Sequence, residues 1–353
     1  MEKQRILNDS ATNRAVVTRL RGIVVKLVLG LAIFAVVLYF VDIRESLQAL
    51  RQLEPLLLLP GLAFLVATRF LMGLKWWVLL GGRQSGIAYA KVQRALLLSD
   101  YHGLLFPNTL AVDALRVVLL RHHPGGLTRM TATILADRVI NVVVTAVVGL
   151  VALALVAGRP GFAPVAPAVL WIIVGVAAAV VVAGVAVQSR RLFALATWLL
   201  RTLLAHGALR RPVDRAVEIA DRLHRAVTGL LGEPRTLATA LAVAVFVVAA
   251  RIGFVFFLFR AIGVDIALLT VVAIYPIVTL IALLPLTLMG IGLKDGAFVF
   301  FFGGVGVPAA LALAVSLASY ASIIAVGLVF GMLATFFGPP LPRAISQPVE
   351  AQR

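Results

Sequence analysis

Long apolar runs are the feature of this sequence that most restricts its fold. A helix needs about 20 apolar residues to cross roughly 30 Å of hydrocarbon. With 62% apolar and only 13% charged residues, the chain also has too little polar surface for a water-soluble globule. The runs predict membrane spans at Val24–Val41, Leu56–Leu74, Thr131–Ala157, Ala168–Val187, Leu237–Phe259, Ile266–Leu284 and Pro308–Phe337.

These runs predict an all-α integral membrane protein, a polytopic helical bundle of seven or eight spans. A transmembrane β-barrel would instead show alternating segments of about ten residues. The first run is longer than the apolar part of a secretory signal and has no small-residue cleavage site before Asp42, so we expect it to remain as an anchor. The absence of cysteine excludes disulfides and thiolate metal sites. We expect no separate soluble catalytic domain.

The net charge of +17 is concentrated in alternate loops. Residues 75–130 carry seven Lys/Arg against two acids, and residues 188–236 carry nine against four, whereas residues 42–55 carry two against three. Cytoplasmic loops are enriched in Lys/Arg, so we expect a cytoplasmic amino terminus in a cell (inner) membrane. Nothing in the pattern forms a compact basic fold, so we expect no nucleic-acid partner.

The same pattern predicts how the chain is organised. Two halves of a membrane domain are separated by a cytoplasmic basic loop with an amphipathic helix from Pro212 to Leu231. That helix would lie on the anionic leaflet or serve as a solvated linker. The predicted segments are a basic cytoplasmic tail at 1–22, the first half at 23–187, the loop at 188–236, the second half at 237–337 and a flexible tail at 338–353.

Each half contains an apolar segment that is interrupted. The interruptions fall at about 95–120 and about 285–304, and Pro-x-Thr-Leu occurs at 107–110 and again 178 residues later. Interrupted segments at corresponding places in two halves indicate a transporter-type binding site and fit an inverted repeat; chance similarity of Leu/Pro strings is the alternative. The predicted turn residues are Pro107, Asn108, Thr109, Pro285, Thr287, Gly290 and Gly292.

Charged residues within the spans are the next candidates for function. A charge at the centre of a lone helix costs about 2.5–3.5 kcal/mol on insertion scales. Arg251 and Arg69 lie well inside predicted spans, so each needs an anion, either a ligand phosphate or a carboxylate of the protein that fixes helix register. Lys75 lies near a span end and is expected to snorkel, with Trp76 and Trp77 as an interfacial anchor.

Three carboxylates near these segments have a cation beside them. Asp113 and Arg116 are three residues apart, on one helix face. Backbone amides of the glycine turn before the third pair could approach a phosphate. We expect the pairs to form a polar cluster suited to a zwitterionic or anionic lipid head group: Asp113 with Arg116, Asp137 with Arg138, and Lys294 with Asp295.

Catalytic chemistry finds little support in the sequence. The five histidines have no metal-ligand spacing, and there is no Gly-rich phosphate loop or nucleophile elbow. We therefore predict no catalytic residue, no metal and no cofactor.

Three stretches of the chain resemble a known family. The family is the lysylphosphatidylglycerol synthase transmembrane (flippase-like) family, and the resemblance covers nearly the whole chain. Two departures are Ala111-Val112, where two glycines are usual, and Lys294-Asp295, where Arg-Glu is common. The stretches are Phe106-Pro-Asn-Thr-Leu-Ala-Val-Asp-Ala-Leu-Arg116, Leu135-Ala-Asp-Arg138 and Leu284-Pro-Leu-Thr-Leu-Met-Gly-Ile-Gly-Leu-Lys-Asp295.

The resemblance implies movement of a lipid between leaflets, such as an aminoacylated phospholipid or an isoprenoid-linked or hopanoid lipid. The soluble aminoacyl-transferase part of the full synthase is absent from this sequence, so we do not expect lipid aminoacylation. The leading hypothesis is a lipid translocase-like protein. The alternatives are a non-transporting lipid-binding partner or scaffold of a membrane glycosyltransferase or lipid-modifying enzyme, and an intramembrane transferase or phosphatase.

Overall fold

The computed structural model describes most of the predicted membrane domain. The tails, the predicted span at 168–187 for the most part, and the turn residues Pro107, Asn108 and Pro285 lie outside the described residues. Described are residues 25, 27–104, 109–120, 126–156, 210–284, 286, 287 and 290–337, together with a few single positions between 162 and 202.

The described residues form an all-α protein. A 3₁₀ turn, Gly82–Ser85, follows the third of the helices named below. The helices are α1 (Leu27–Phe40), α2 (Ile43–Arg51), α3 (Pro55–Leu79), α4 (Tyr89–Gly103), α5 (Thr109–Leu119), α6 (Gly126–Val156), α7 (Arg210–Leu231), α8 (Pro234–Ala261), α9 (Leu268–Ala282), α10 (Leu293–Gly303) and α11 (Ala309–Phe336).

Four of these helices are long and apolar enough to cross a membrane, namely α3, α6, α8 and α11. Large apolar side chains such as Leu155 and Phe246 are exposed on them, as expected for surfaces that contact lipid. The helix pair α1 and α2 is bent by 88° and counts as one further broken span or as a re-entrant loop. The Asp42 carboxylate accepts the backbone N–H of Arg44 at 2.8 Å, which caps α2 and ends the predicted first span.

The predicted interruptions at about 95–120 and about 285–304 fall within two helical hairpins, and α9, which was predicted as a membrane span at Ile266–Leu284, is the 15-residue first helix of the second hairpin. Helices α4 and α5 have 15 and 11 residues and pack on each other, and helices α9 and α10 also have 15 and 11 residues and pack on each other. Each hairpin stands between two long apolar helices, α3 and α6 for the first and α8 and α11 for the second. This matched order of helix lengths supports the predicted internal repeat.

The chain divides into two compact units. Unit 1 comprises residues 1–68, 139–186 and 244–323, and unit 2 comprises residues 69–138, 187–243 and 324–353. Unit 1 contains the second hairpin, where Phe259, Phe298 and Phe302 pack together with ring centroids 4.6 to 6.5 Å apart.

Unit 2 contains the first hairpin and a core around Trp76. Trp76 is buried among Leu80, Val92 and Met130, and its indole N–H donates to the Thr133 hydroxyl at 3.1 Å. The expected role of Trp76 as an interfacial anchor is therefore wrong. The indole is a core side chain whose N–H is satisfied inside the protein.

The predicted amphipathic helix is confirmed as α7, within unit 2. Val217 and Val227 are buried, so its apolar side is already covered by the protein. Arg222 donates to Glu218 at 2.6 Å on the exposed side, as expected for this spacing.

Candidate functional site

A chain of alternating charges passes through the first hairpin in unit 2. Arg69 of α3 donates to Asp100 of α4 at 2.8 Å, and Arg116 of α5 donates to the other oxygen of the same carboxylate at 2.8 Å. Arg116 also contacts Asp113 at 3.4 Å, as expected for residues three apart on one helix. Arg138 of α6 donates to Asp113 through Nε, at 2.9 Å, and through Nη2. We call these five residues the charge chain.

The hairpin places the two acids of the charge chain, and the flanking helices hold them. Asp100 lies near the end of α4, just before the break, and Asp113 lies in the first half of α5. Arg69 of α3 and Arg138 of α6 are counter-ions of these two acids, and their ion pairs connect both long helices to the hairpin.

The charge chain has three cations and two anions, so it carries one net positive charge. Arg69, Asp100, Asp113 and Arg116 are largely buried, whereas the Arg138 side chain is 44% exposed. The Nε groups of Arg69 and Arg116 are buried and have no hydrogen-bond partner among the described residues. The charge chain thus has one accessible end, at Arg138, and two buried Nε–H groups that donate to none of the described residues.

A second ion pair lies close to the charge chain in the same unit. The Lys75 ammonium is 0% exposed and lies 2.9 Å from the Asp137 carboxylate. The expectation that Lys75 snorkels is wrong, because its ammonium is buried beside Asp137. Helix α3 continues past Lys75 to Leu79. Asp137 and Arg138 are neighbours on α6, so the buried pair also fixes the rotation of the helix that presents Arg138.

Close helix packing supports these positions. Gln93 of α4 donates to the Arg69 carbonyl at 3.4 Å. A Cβ at Gly73 would lie 1.8 Å from Oε1 of Gln93, so α3 and α4 approach closely here and a larger residue would displace the Gln93 amide. Within the hairpin, a Cβ at Gly103 would lie 2.5 Å from Cγ2 of Val112. Val112, where glycine is usual in the family that the chain resembles, thus fills the space above Gly103.

Unit 1 has its own polar cluster, at the turn into α10. The Asp295 carboxylate is 1% exposed and accepts the Gly292 backbone N–H at 2.9 Å and the Ser316 hydroxyl at 2.6 Å. The Lys294 ammonium donates to the Ser319 hydroxyl at 2.6 Å and lies 4.1 Å from the centre of the Tyr320 ring. The Gly292 amide, which was expected to be open to a phosphate, is therefore bound by Asp295.

The glycines of this turn are required by its geometry. Gly290 and Gly292 have φ of 78° and 79°, and a Cβ at Gly292 would lie 2.3 Å from the Gly30 carbonyl oxygen of α1. The turn backbone therefore lies directly against the α1 backbone. The Thr287 hydroxyl beside it is buried, with 5% of the residue exposed, and has no hydrogen-bond partner among the described residues.

Arg69 and Arg251 occupy equivalent places in the two long helices that precede the hairpins. Arg69 lies ten residues before the end of α3 at Leu79, and Arg251 lies ten residues before the end of α8 at Ala261. The repeat therefore extends from helix lengths to the position of an arginine along a long apolar helix.

The residues predicted from the sequence fall in the two units of the structure. Unit 2 brings together Arg69, Asp113, Arg116 and Arg138, with Asp137 close by, and unit 1 brings together Lys294 and Asp295 at the Gly290–Gly292 turn. Thr109 begins α5 as a turn residue should. Each unit thus has a polar cluster of its own residues.

Four residues of these clusters were missed by the sequence prediction, namely Asp100, Ser316, Ser319 and Tyr320. Asp100 is a lone acid three residues before the end of α4, inside the interrupted stretch, so a count of acids in that stretch would have found it. The others fall at positions i, i+3 and i+4 of an apolar helix, a spacing that predicts one polar face. In the described part of the chain, no group of three or more His, Cys, Asp and Glu residues could hold a metal ion.

Long apolar helices, two short hairpins and charges paired between helices define a multi-pass helical membrane protein. The model of one protein family, the lysylphosphatidylglycerol synthase TM region, matches residues 23–331 of the chain. The chain therefore belongs to this family, which makes it a lipid-related membrane protein. No curated protein and no solved structure matches the chain.

Proposed function

We propose that this protein binds the phosphate of a lipid head group at the charge chain and moves the lipid between the two leaflets. The observation that carries the proposal is the charge chain itself, five alternating charges that join α3, the first hairpin and α6. A head group must cross a region that excludes charge, and it needs a sequence of fixed partners on the way.

The sign of the charge supports a phosphate ligand. The charge chain has one cation in excess, and its accessible end is a guanidinium, which binds phosphate through two parallel hydrogen bonds. A phosphate that binds Arg138 would displace the Asp113 carboxylate from it. Asp113 would then keep Arg116 as its counter-ion. The exchange leaves no buried charge alone, so its free-energy cost is small compared with that of an unpaired charge.

The head groups that fit are those of anionic or zwitterionic phospholipids and of isoprenoid-linked lipid phosphates. An ammonium group of a zwitterionic head group could pair with Asp113 while its phosphate pairs with Arg138. The asymmetric distribution of Lys/Arg supports placement in the cell's inner membrane with a cytoplasmic amino terminus. No covalent step is needed.

Reconstitution tests the proposal directly. The wild-type protein is placed in vesicles with a trace of fluorescent lipid, and dithionite is added to bleach the outer leaflet. We expect fluorescence that is protected in protein-free vesicles to be lost when the protein is present. Continued protection of anionic, zwitterionic and isoprenoid-linked probes alike, with the protein shown to be inserted and folded, would exclude translocation.

A further inference from the structure

Helix α2 turns sharply away from the apolar helix that precedes it. Helix α1 ends at Phe40, α2 begins at Ile43, and the angle between the two helices is 88°. If α1 follows the membrane normal, as its apolar sequence favours, α2 runs along the plane of the membrane. Its nine residues include the charged Arg44, Glu45 and Arg51, and charges of this kind are costly inside hydrocarbon.

One side of α2 is held by the ends of other helices in unit 1. Ser46 is 0% exposed, and its hydroxyl donates to the Ala310 carbonyl oxygen near the start of α11 at 2.9 Å. Ala49, on the same side of α2, is also buried. Just after α2, the Glu54 backbone N–H donates to the carbonyl oxygen of Ala261, the last residue of α8, at 2.9 Å. Because loops between spanning helices lie outside the hydrocarbon, these contacts place α2 at the level where unit 1 leaves the membrane.

The rest of the α2 surface has two exposed sides of different chemistry. Ile43 and Leu47 are 38% and 47% exposed, and the half-buried Leu50 continues their spacing, so the three form one apolar side. The same spacing occurs one residue later along the chain, about 100° further round the helix, where every residue is polar and exposed. This polar side consists of Arg44, Gln48 and Arg51.

Two exposed aromatic rings lie directly before α2. Tyr39 and Phe40, the last residues of α1, are 85% and 76% exposed, and their ring centroids are 5.2 Å apart. Tyrosine is enriched where hydrocarbon meets the lipid head groups. Water alone would leave the rings and the apolar side of α2 without apolar contacts, whereas hydrocarbon alone would leave the charges of the polar side unsolvated. The boundary between head groups and acyl chains suits both.

We infer that α2 is an interfacial helix that binds the surface of the lipid bilayer. Its apolar side contacts acyl chains, and its polar side contacts head groups and water. Residues 42–55 carry two Lys/Arg against three acids, which assigns α2 to the leaflet opposite the cytoplasm. The bent pair of α1 and α2 is then neither a broken span nor a re-entrant loop, and α2 fixes the depth of unit 1 in this leaflet. The contact does not depend on lipid binding at the charge chain.

Spin labels at neighbouring positions test the inference. The chain has no cysteine, so Leu47→Cys and Gln48→Cys each carry one nitroxide, on the apolar and the polar side of α2. The labelled full-length proteins are placed in vesicles of phosphatidylcholine and phosphatidylglycerol. Power saturation then measures collisions of the label with oxygen, which concentrates in hydrocarbon, and with a water-soluble nickel chelate. Ile43→Cys and Arg44→Cys form a second pair if a variant of the first pair does not fold.

We expect the ratio of oxygen to nickel collisions to be several-fold higher at Leu47→Cys than at Gln48→Cys. The Leu47→Cys label should lie about 5–10 Å inside the boundary of head groups and acyl chains. Phe246→Cys, at an exposed position in the middle of α8, is the reference for hydrocarbon. Asp265→Cys is the reference for water, because the Asp265 side chain is 93% exposed.

Three results would overturn the inference. Ratios at both α2 positions equal to that of Asp265→Cys would mean that α2 lies in water. Ratios at both equal to that of Phe246→Cys would mean that α2 re-enters the hydrocarbon. Few collisions with either reagent at Leu47→Cys would mean that a second copy of the chain covers the apolar side.

A membrane-impermeant maleimide tests which leaflet holds α2. In sealed right-side-out vesicles, Gln48→Cys should react before lysis. Arg222→Cys, at an exposed position on α7, should react only after lysis. The reverse order would overturn the assignment of α2 to the leaflet opposite the cytoplasm. Because neither experiment measures lipid movement, this inference and the proposed function can fail separately.

Discussion

The Arg116 guanidinium lies 2.8 Å from the Asp100 carboxylate and joins the two helices of the first hairpin. The other oxygen of the same carboxylate binds Arg69 of α3. Asp100 thus binds two cations at 2.8 Å, whereas the contact of Arg116 with Asp113 is longer, at 3.4 Å, and Asp113 also binds Arg138. We therefore expect Asp100 to contribute strongly to the folding free energy of unit 2.

Asp100→Asn should destabilise the protein strongly. The amide keeps the shape of the side chain but leaves the largely buried Arg69 without its anion and Arg116 with only its longer contact to Asp113. Breaking a buried ion pair on one side costs about 3–5 kcal/mol. The thermal unfolding midpoint of the detergent-solubilised protein measures the effect. Asp265→Asn is the control, because Asp265 is 93% exposed and its pair with Arg260 is worth about 0–1 kcal/mol. Equal losses for the two variants would show that the Asp100 contacts are not buried as described.

Lys75 and Asp137 should behave as a coupled pair. Lys75→Met leaves the Asp137 carboxylate without its ammonium and should cost about 3–5 kcal/mol, whereas Lys75→Met with Asp137→Asn removes both charges and should cost much less. Thermal unfolding of the two single variants and the double variant gives the coupling energy. The exposed pair of Glu218 and Arg222 is the reference, with an expected coupling of about 0.3–0.5 kcal/mol. Additive effects at Lys75 and Asp137 would argue against the buried pair.

Gly292→Ala should destabilise unit 1. Its φ of 79° and ψ of −52° fall in a region that side-chain-bearing residues rarely adopt, at a cost of about 1–3 kcal/mol. The new methyl group would also meet the Gly30 carbonyl oxygen. Gly303→Ala is the control in the same helix, since its Cβ would meet open space and alanine favours a helix by about 1 kcal/mol. A stable Gly292→Ala protein would contradict the close contact with α1.

Gly103 and Val112 should show compensation. Gly103→Ala introduces a methyl group 2.5 Å from Cγ2 of Val112, so we expect a loss of about 1–3 kcal/mol as for other overpacked contacts. Val112→Ala in the same chain removes the clashing atom and should restore most of the stability. The measurement is again the unfolding midpoint. A double variant no better than Gly103→Ala alone would show that the two side chains do not meet.

The sequence predicted the hairpins and several of the charged residues for physical reasons. Proline and glycine interrupt apolar runs in a recognisable way, which identified both hairpins, and an arginine in mid-span, such as Arg69 or Arg251, stands out against apolar neighbours. The pair of Asp113 and Arg116 followed from helical spacing alone. Local rules of this kind transfer directly from sequence to structure.

Partners that depend on tertiary packing could not be predicted in the same way. The predicted second span ended at Leu74 because Lys75 is polar, but the contact with Asp137 on α6 lets α3 continue past it. That contact depends on how α3 and α6 are rotated. Asp100 was missed for a related reason, since only the packing of α3 and α5 against α4 shows that two arginines converge on it.

The most direct test of the central claim is the rate of lipid movement in vesicles that contain Arg138 variants. Arg138→Gln removes the accessible charge, and we expect at least about a tenfold slower loss of protected lipid fluorescence. Arg138→Lys keeps the charge but cannot make the two parallel hydrogen bonds of a guanidinium. Its rate of lipid movement should lie between those of Arg138→Gln and the wild type. Arg222→Gln, on the exposed side of α7, should match the wild type. Wild-type rates for folded Arg138→Gln would contradict a role for the charge chain in lipid movement.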